Sequence, residues 1–130
     1  MKHNQFKQKS LSYDMKEIRK FCKYHLIKCS NHAIQRAKER NISFDDIYFM
    51  LLMPTSTIVQ CIRNKDNSII RYVVFLKNIQ KKLKYHVIIQ KNTKYNGATN
   101  YEIVTLYKPD SRLFREDGRL RKKFQRLIYE

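Results

Sequence analysis

In the stretch SNHAIQRAKERNISFDDI, residues 30–47, three side chains able to meet a phosphodiester recur at four-residue intervals: His32, Arg36 and Arg40. Residues four apart on an α-helix stack over one another, so a helix here would carry them as a ridge about 12 Å long. An imidazole exchanges protons near neutral pH, and a guanidinium grips phosphate oxygens through paired hydrogen bonds. Such a ridge matches a run of phosphates, with Lys38 and Glu39 expected on other faces. Taken on spacing alone, the competing reading is the solvated face of one more basic helix.

Cleavage of RNA without a metal needs a base for the 2′-hydroxyl, an acid for the leaving oxygen and cations on the crowded phosphorane. His86 is a second candidate for proton exchange. Strand alternation in LKYHVIIQK sets it with Lys84 and Ile88, opposite Leu83, Tyr85, Val87 and Ile89, on the less apolar face where a groove could form. Tyr107 could donate a hydrogen bond or stack a base. The same parity argument groups Thr105 and Tyr107 with Tyr101 and Ile103, and Arg71 with Val73 and Phe75. The chain has no glycine-rich phosphate loop, no HExxH, no GxSxG and no acidic cluster suited to Mg²⁺ or Ca²⁺. The expectation is therefore chemistry without metal or cofactor, leaving a 2′,3′-cyclic phosphate. Three cysteines without a CxxC pair suit reduced thiols.

Charge points to the partner. With 28 Lys and Arg against 11 Asp and Glu, the 130-residue chain carries a formal +17, a field that attracts and steers polyanions. RNA, free or ribosome-bound, is the leading expectation, and an acidic antitoxin or immunity protein the second. A cluster near the end, Arg119, Arg121, Lys122, Lys123 and Arg126, is expected to add sequence-independent grip on nucleic acid, joined by Arg71 and Lys84 from the strands. No apolar run long enough to span a bilayer and no secretory leader is visible, so a cytoplasmic protein without membrane contact is expected.

The elements that must position these groups change character midway. Residues 13–24 read as a basic amphipathic helix, with residues 1–12 frayed. Ser30 caps a helix to Arg40; Ser43, with Asp46 three residues on, caps another that Pro54 stops. From Ser56 the β-branched and aromatic runs STIVQCI, IIRYVVFLK, LKYHVIIQK and YEIVTLY predict four antiparallel strands in a meander, with Asn96 and Gly97 turning the last hairpin. The fold class expected is α+β: N-terminal helices packed on a four-stranded antiparallel sheet, followed by a basic C-terminal helix or tail from about Gly118. One domain is expected, with residues 1–27 a basic helical extension, 28–109 the core and 110–130 the tail.

The segment HAIQRAKERNISFDDIYFMLLMP, with the later IVTLYKP, resembles a small bacterial domain family of unassigned function. Its members open with an HAxxRxxERxI helix and close on a strand bearing Thr-x-Tyr, and it is similar to the RelE, BrnT and barnase-like ribonuclease (BECR-type) fold group. The resemblance covers about residues 28–109. It implies a site at His32, Arg36 and Arg40, with Thr105 and Tyr107 as the closing pair, and a metal-independent endoribonuclease acting as the toxin of a toxin–antitoxin or related conflict system. The alternatives are a non-catalytic RNA- or DNA-binding module and a basic interaction protein that docks an acidic partner.

Overall fold

Helical periodicity gives way to alternation at Ser56, and the chain turns there. The computed structural model describes residues 2–78, 80–112, 114–116, 118, 119 and 121, with side chains from residue 11 onward. Its elements run α1 (Lys2–Lys23), β1 (Ile27–Cys29), α2 (Asn31–Glu39), α3 (Phe44–Leu52), β2 (Thr57–Arg63), β3 (Ile69–Asn78), β4 (Leu83–Thr93) and β5 (Thr99–Tyr107). The buried Ser56 hydroxyl lies 2.8 Å from both the Leu51 and Met53 carbonyls and accepts from Arg19 Nε at 3.1 Å, which ties the end of α3 to α1.

Local chemistry accounts for the helix boundaries. The Ser30 hydroxyl accepts from the Ala33 N–H at 3.0 Å and donates to the Val104 carbonyl at 2.7 Å, so one side chain caps α2 and fastens it to β5. Ser43 caps α3 by accepting from the Asp45 N–H. Asp45 and Asp46 lie in the positive first turn of α3, and Pro54 follows its end. α1 begins well before residue 13, correcting the expectation of a frayed start; no Gly or Pro interrupts residues 2–12.

The sheet order is β1-β5-β4-β3-β2. β2 to β5 form the expected antiparallel meander, but a fifth strand adds to it: β1 pairs parallel with β5, Ile27 opposite Tyr101 and Cys29 opposite Ile103. The sheet is therefore five-stranded and mixed, not four-stranded and antiparallel. A parallel partner requires a crossover, and here α2, α3 and the meander supply it.

One face of the sheet carries Tyr72, Val74, Val87, Ile89 and Ile103, and the helices cover it with Ile18, Ala33, Ala37, Ile47 and Leu51 in a single apolar cluster. Ile18 is fully buried in that cluster, so the N-terminal helix shares the core. Polar ties reinforce it: the Tyr72 hydroxyl donates to Asp14 Oδ2 at 2.8 Å, and the Tyr101 hydroxyl donates to Glu17. No described helix is long and apolar enough to cross a membrane.

Candidate nucleic-acid interface

α2 presents the row expected from its sequence, although not as three unpaired groups. Ala33 and Ala37 turn into the core, leaving His32 and Arg40 exposed and Arg36 partly so. Arg36 Nη1 lies 3.4 Å from Glu39 Oε2, so Glu39 reaches the row from three residues on and neutralises part of it. Arg40 is the C-cap, its N–H bonded to the Arg36 carbonyl at 3.1 Å. It stands near enough to the Tyr85 phenol to oppose the upward shift that burial and Asp46 cause there. The whole row therefore belongs to the helix-covered side of the sheet.

His86, Thr105 and Tyr107 belong to the other side. Ile88 pairs with Thr105 but Ile89 pairs with Ile103, so Val104 is an extra residue that turns β5 over. This bulge corrects the simple parity reading. Tyr101 and Ile103 face the helices, Leu106 rejoins them in the core, and Thr105 and Tyr107 face away. His86 pairs with Phe75 on β3 and with Tyr107 on β5, which brings His86, Thr105, Tyr107 and the Arg71–Val73–Phe75 row onto one face. The sheet thus separates His32 from His86, and the two imidazoles do not share a site.

That face is not an open groove at His86. Residues after β5 fold back across it, and the His86 side chain is 0% exposed. Its ring meets Phe75, Tyr107 and Phe114 edge-on, with centroids 5.9, 5.3 and 4.6 Å away. Nε2 lies 2.8 Å from the Gly118 carbonyl oxygen. A carbonyl only accepts, so the neutral ring carries its proton on Nε2 and a lone pair on Nδ1. Nδ1 is buried and has no partner among the described residues. Burial holds the His86 pKa below its ordinary value, against the smaller opposing pull of the Gly118 carbonyl, and burial raises the Tyr107 phenol.

Beside this covered histidine lies a cleft of about 460 Å³ between the β3–β4 hairpin and the segment from Lys108 to Arg121. Among the described residues, Lys82, Lys84, Lys108, Arg115 and Arg121 line it, with one carboxylate, Glu116, beside them. Phe75 and Phe114 add aromatic surface, so the cleft shares a wall with the His86 cage. Low-dielectric walls carrying one sign of charge concentrate the field in the space between them. Such a cleft suits phosphates.

Of the residues expected to contact nucleic acid, Lys84 and Arg121 line the cleft. Arg71 shares the face but donates to Gln90 Oε1 at 2.8 Å, four residues along β3 from Phe75. Arg119 is exposed, and its carbonyl accepts from the Arg115 N–H. Lys122, Lys123 and Arg126 lie outside the described residues, as does most of the expected C-terminal helix; Gly118 and Arg119, at its expected start, are not helical. Lys82, Lys108 and Arg115 were missed by sequence reasoning, since nothing local distinguishes them among 28 Lys and Arg. No disulfide joins Cys22, Cys29 and Cys61; burial pushes the Cys22 thiol up to about 11 and raises Cys29, which makes neither a ready nucleophile. Comparison with family models, curated proteins and solved structures found no match.

Proposed function

We propose that this protein binds RNA through its phosphate backbone, in the cleft between the β3–β4 hairpin and the segment that follows β5. The observation that carries this reading is the lining, which among the described residues sets five cations against one carboxylate around a concave space with phenylalanine rings beside it. Lysines supply point charges, the two arginines supply bidentate grips, and a partly exposed Phe114 offers an edge for a base. A cleft of about 460 Å³ takes a stretch of single strand rather than a duplex. The test is equilibrium binding of single-stranded RNA to the full chain and to Lys82→Gln/Lys84→Gln. Weakened binding in the variant supports the cleft; equal affinity contradicts it.

A second reading, metal-independent endoribonuclease of the toxin type, is favoured by one specific feature. The Nδ1 lone pair of His86 is a proton acceptor without a partner among the described residues, on the same face as Thr105 and Tyr107 and beside the cationic cleft. In that reading the field of Lys84 and Arg121 supports charge on the phosphorane, and an acidic antitoxin competes for the same cations. Single-turnover incubation with RNA, scored for 2′,3′-cyclic phosphate ends, separates this from binding alone. Cleavage abolished in His86→Gln supports it. RNA bound but left intact by the wild type assigns the protein as a binding module.

A further inference from the structure

On the sheet face that carries His86, four side chains farther along the strands bond to one another in line. Arg71 Nε donates to Gln90 Oε1 at 2.8 Å, Gln90 Nε2 to Asn92 Oδ1 at 3.0 Å, and Asn92 Nδ2 to Asn100 Oδ1 at 3.2 Å. Register puts them there: Arg71 lies opposite Gln90 across β3 and β4, and Asn92 lies opposite Asn100 across β4 and β5. A guanidinium has donors and no acceptor, so Gln90 turns its oxygen to Arg71 and its nitrogen to Asn92, and each following amide is oriented in turn. The polarity of the whole row is set by Arg71. That residue is exposed and the three amides are partly so. With Nε committed to Gln90, the Nη1 and Nη2 fork of Arg71 is held in place and has no partner among the described residues.

This row differs in kind from the cleft. Read across the sheet it runs Arg71, Gln90, Glu102 and Lys28, which sets a carboxylate between the two cations and disfavours phosphate there. What it offers instead is a donor fork, oriented amides and a carboxylate acceptor, with the exposed Ile62 and Ile69 beside Arg71. Those groups suit a nucleobase, a flat neutral ring edged with donors and acceptors. Of the four bases, guanine alone pairs two adjacent acceptors, O6 and N7, with two adjacent donors, N1–H and N2–H. An arginine fork takes the first pair and a carboxylate the second. Arg71 and Glu102 stand two strand spacings apart, about 10 Å, near enough for both side chains to reach one base lying over Gln90. We infer that this row reads a guanine of the bound RNA, Arg71 through O6 and N7 and Glu102 through N1–H and N2–H. Arg71 is four residues along β3 from Phe75 in the cleft wall, about 13 Å, so a strand whose backbone lies in the cleft reaches it within a few nucleotides. The inference rests on the reading that the cleft takes RNA, and adds a base preference to it.

The experiment measures equilibrium binding of the full chain to three single-stranded RNAs of one length: oligouridylate, the same with one central guanosine, and the same with 7-deazaguanosine, which lacks the N7 acceptor. The guanosine oligomer should bind roughly tenfold tighter than oligouridylate, and the 7-deaza oligomer should lose most of that gain. Arg71→Lys keeps the charge but not the fork, so it should abolish the preference while leaving affinity for oligouridylate within about twofold. Glu102→Gln removes a negative charge, so it should lower the preference without weakening oligouridylate binding. Equal affinity for the three oligomers, in a protein whose binding is sensitive to Lys84→Gln, overturns the base-reading row and leaves the cleft standing. A preference left intact by 7-deazaguanosine or by Arg71→Lys does the same. Failure of the wild type to bind any of the three overturns both.

Discussion

Neutralising one cation on each wall of the cleft, Lys84→Gln with Arg121→Gln, should change how RNA binding responds to salt. Each phosphate contact to single-stranded nucleic acid contributes about 0.7 to the slope of log affinity against log salt, through released counterions. Loss of the two contacts should flatten the slope by about 1.4, so a fourfold rise in salt should cost the wild type about sevenfold more affinity than the variant. General charge effects are large in a chain of formal +17, so the comparison needs a matched control. Lys16→Gln with Lys65→Gln removes the same charge from exposed positions on α1 and in the β2–β3 turn. The assay is fluorescence anisotropy with one labelled single-stranded RNA across a salt series, in proteins of matched far-UV circular dichroism. Equal flattening by both pairs, or none by the cleft pair, would refute the assignment of phosphate contacts to this cleft.

His86 should make stability fall on acidification. Its folded pKa is lowered from the ordinary 6.5 by burial, so above that pH both states are neutral and its contribution is complete. As pH falls below it, the unfolded chain takes up a proton that the folded ring resists, and the folded state loses ground. Urea unfolding from neutral to mildly acidic pH should show a decline that His86→Gln reduces; identical pH profiles would contradict it. Asp14→Ala should cost about 1–3 kcal/mol in the same assay, because it strands the buried Tyr72 hydroxyl that Asp14 now accepts from at 2.8 Å. A loss no larger than an exposed substitution gives would mean that Tyr72 finds another partner. If the exposed His32 transfers protons in RNA cleavage, His32→Ala should slow single-turnover cleavage roughly 10²-fold or more and leave affinity nearly unchanged. Wild-type cleavage would remove it from the chemistry.

The parts of the fold legible in the sequence are those set by nearby residues. Ser30 and Ser43 cap the helices expected of them, Pro54 follows the end of α3, and the four alternating runs pair in the expected meander. β1 is different in kind. Three residues show no useful alternation, and their partner at Tyr101 to Ile103 is more than 70 positions away. Nor does anything in YEIVTLY mark Val104 as the bulge that sends Thr105 and Tyr107 to the face opposite Ile103.

The candidate site was legible only in pieces. His86 was placed on the correct face by alternation, but its burial depends on a segment whose seat is a Gly118 of positive φ against Phe75. The Asn-Gly turn was read from its residue types, although Gly97, with φ 82, supplies the positive angle there without Asn96. Asp14 and Glu17 read as ordinary charges on a basic helix, since only the folded sheet brings Tyr72 and Tyr101 to them.

The central claim, that RNA occupies the cleft beside His86, is tested most directly by mapping amide chemical-shift changes across the full chain as oligouridylate is added. The account predicts saturable changes at Lys82, Lys84, Lys108, Arg115 and Arg121, with the exposed surface of α2 around His32 and Arg36 little affected. Changes centred on α2, with the cleft silent at saturation, would contradict it.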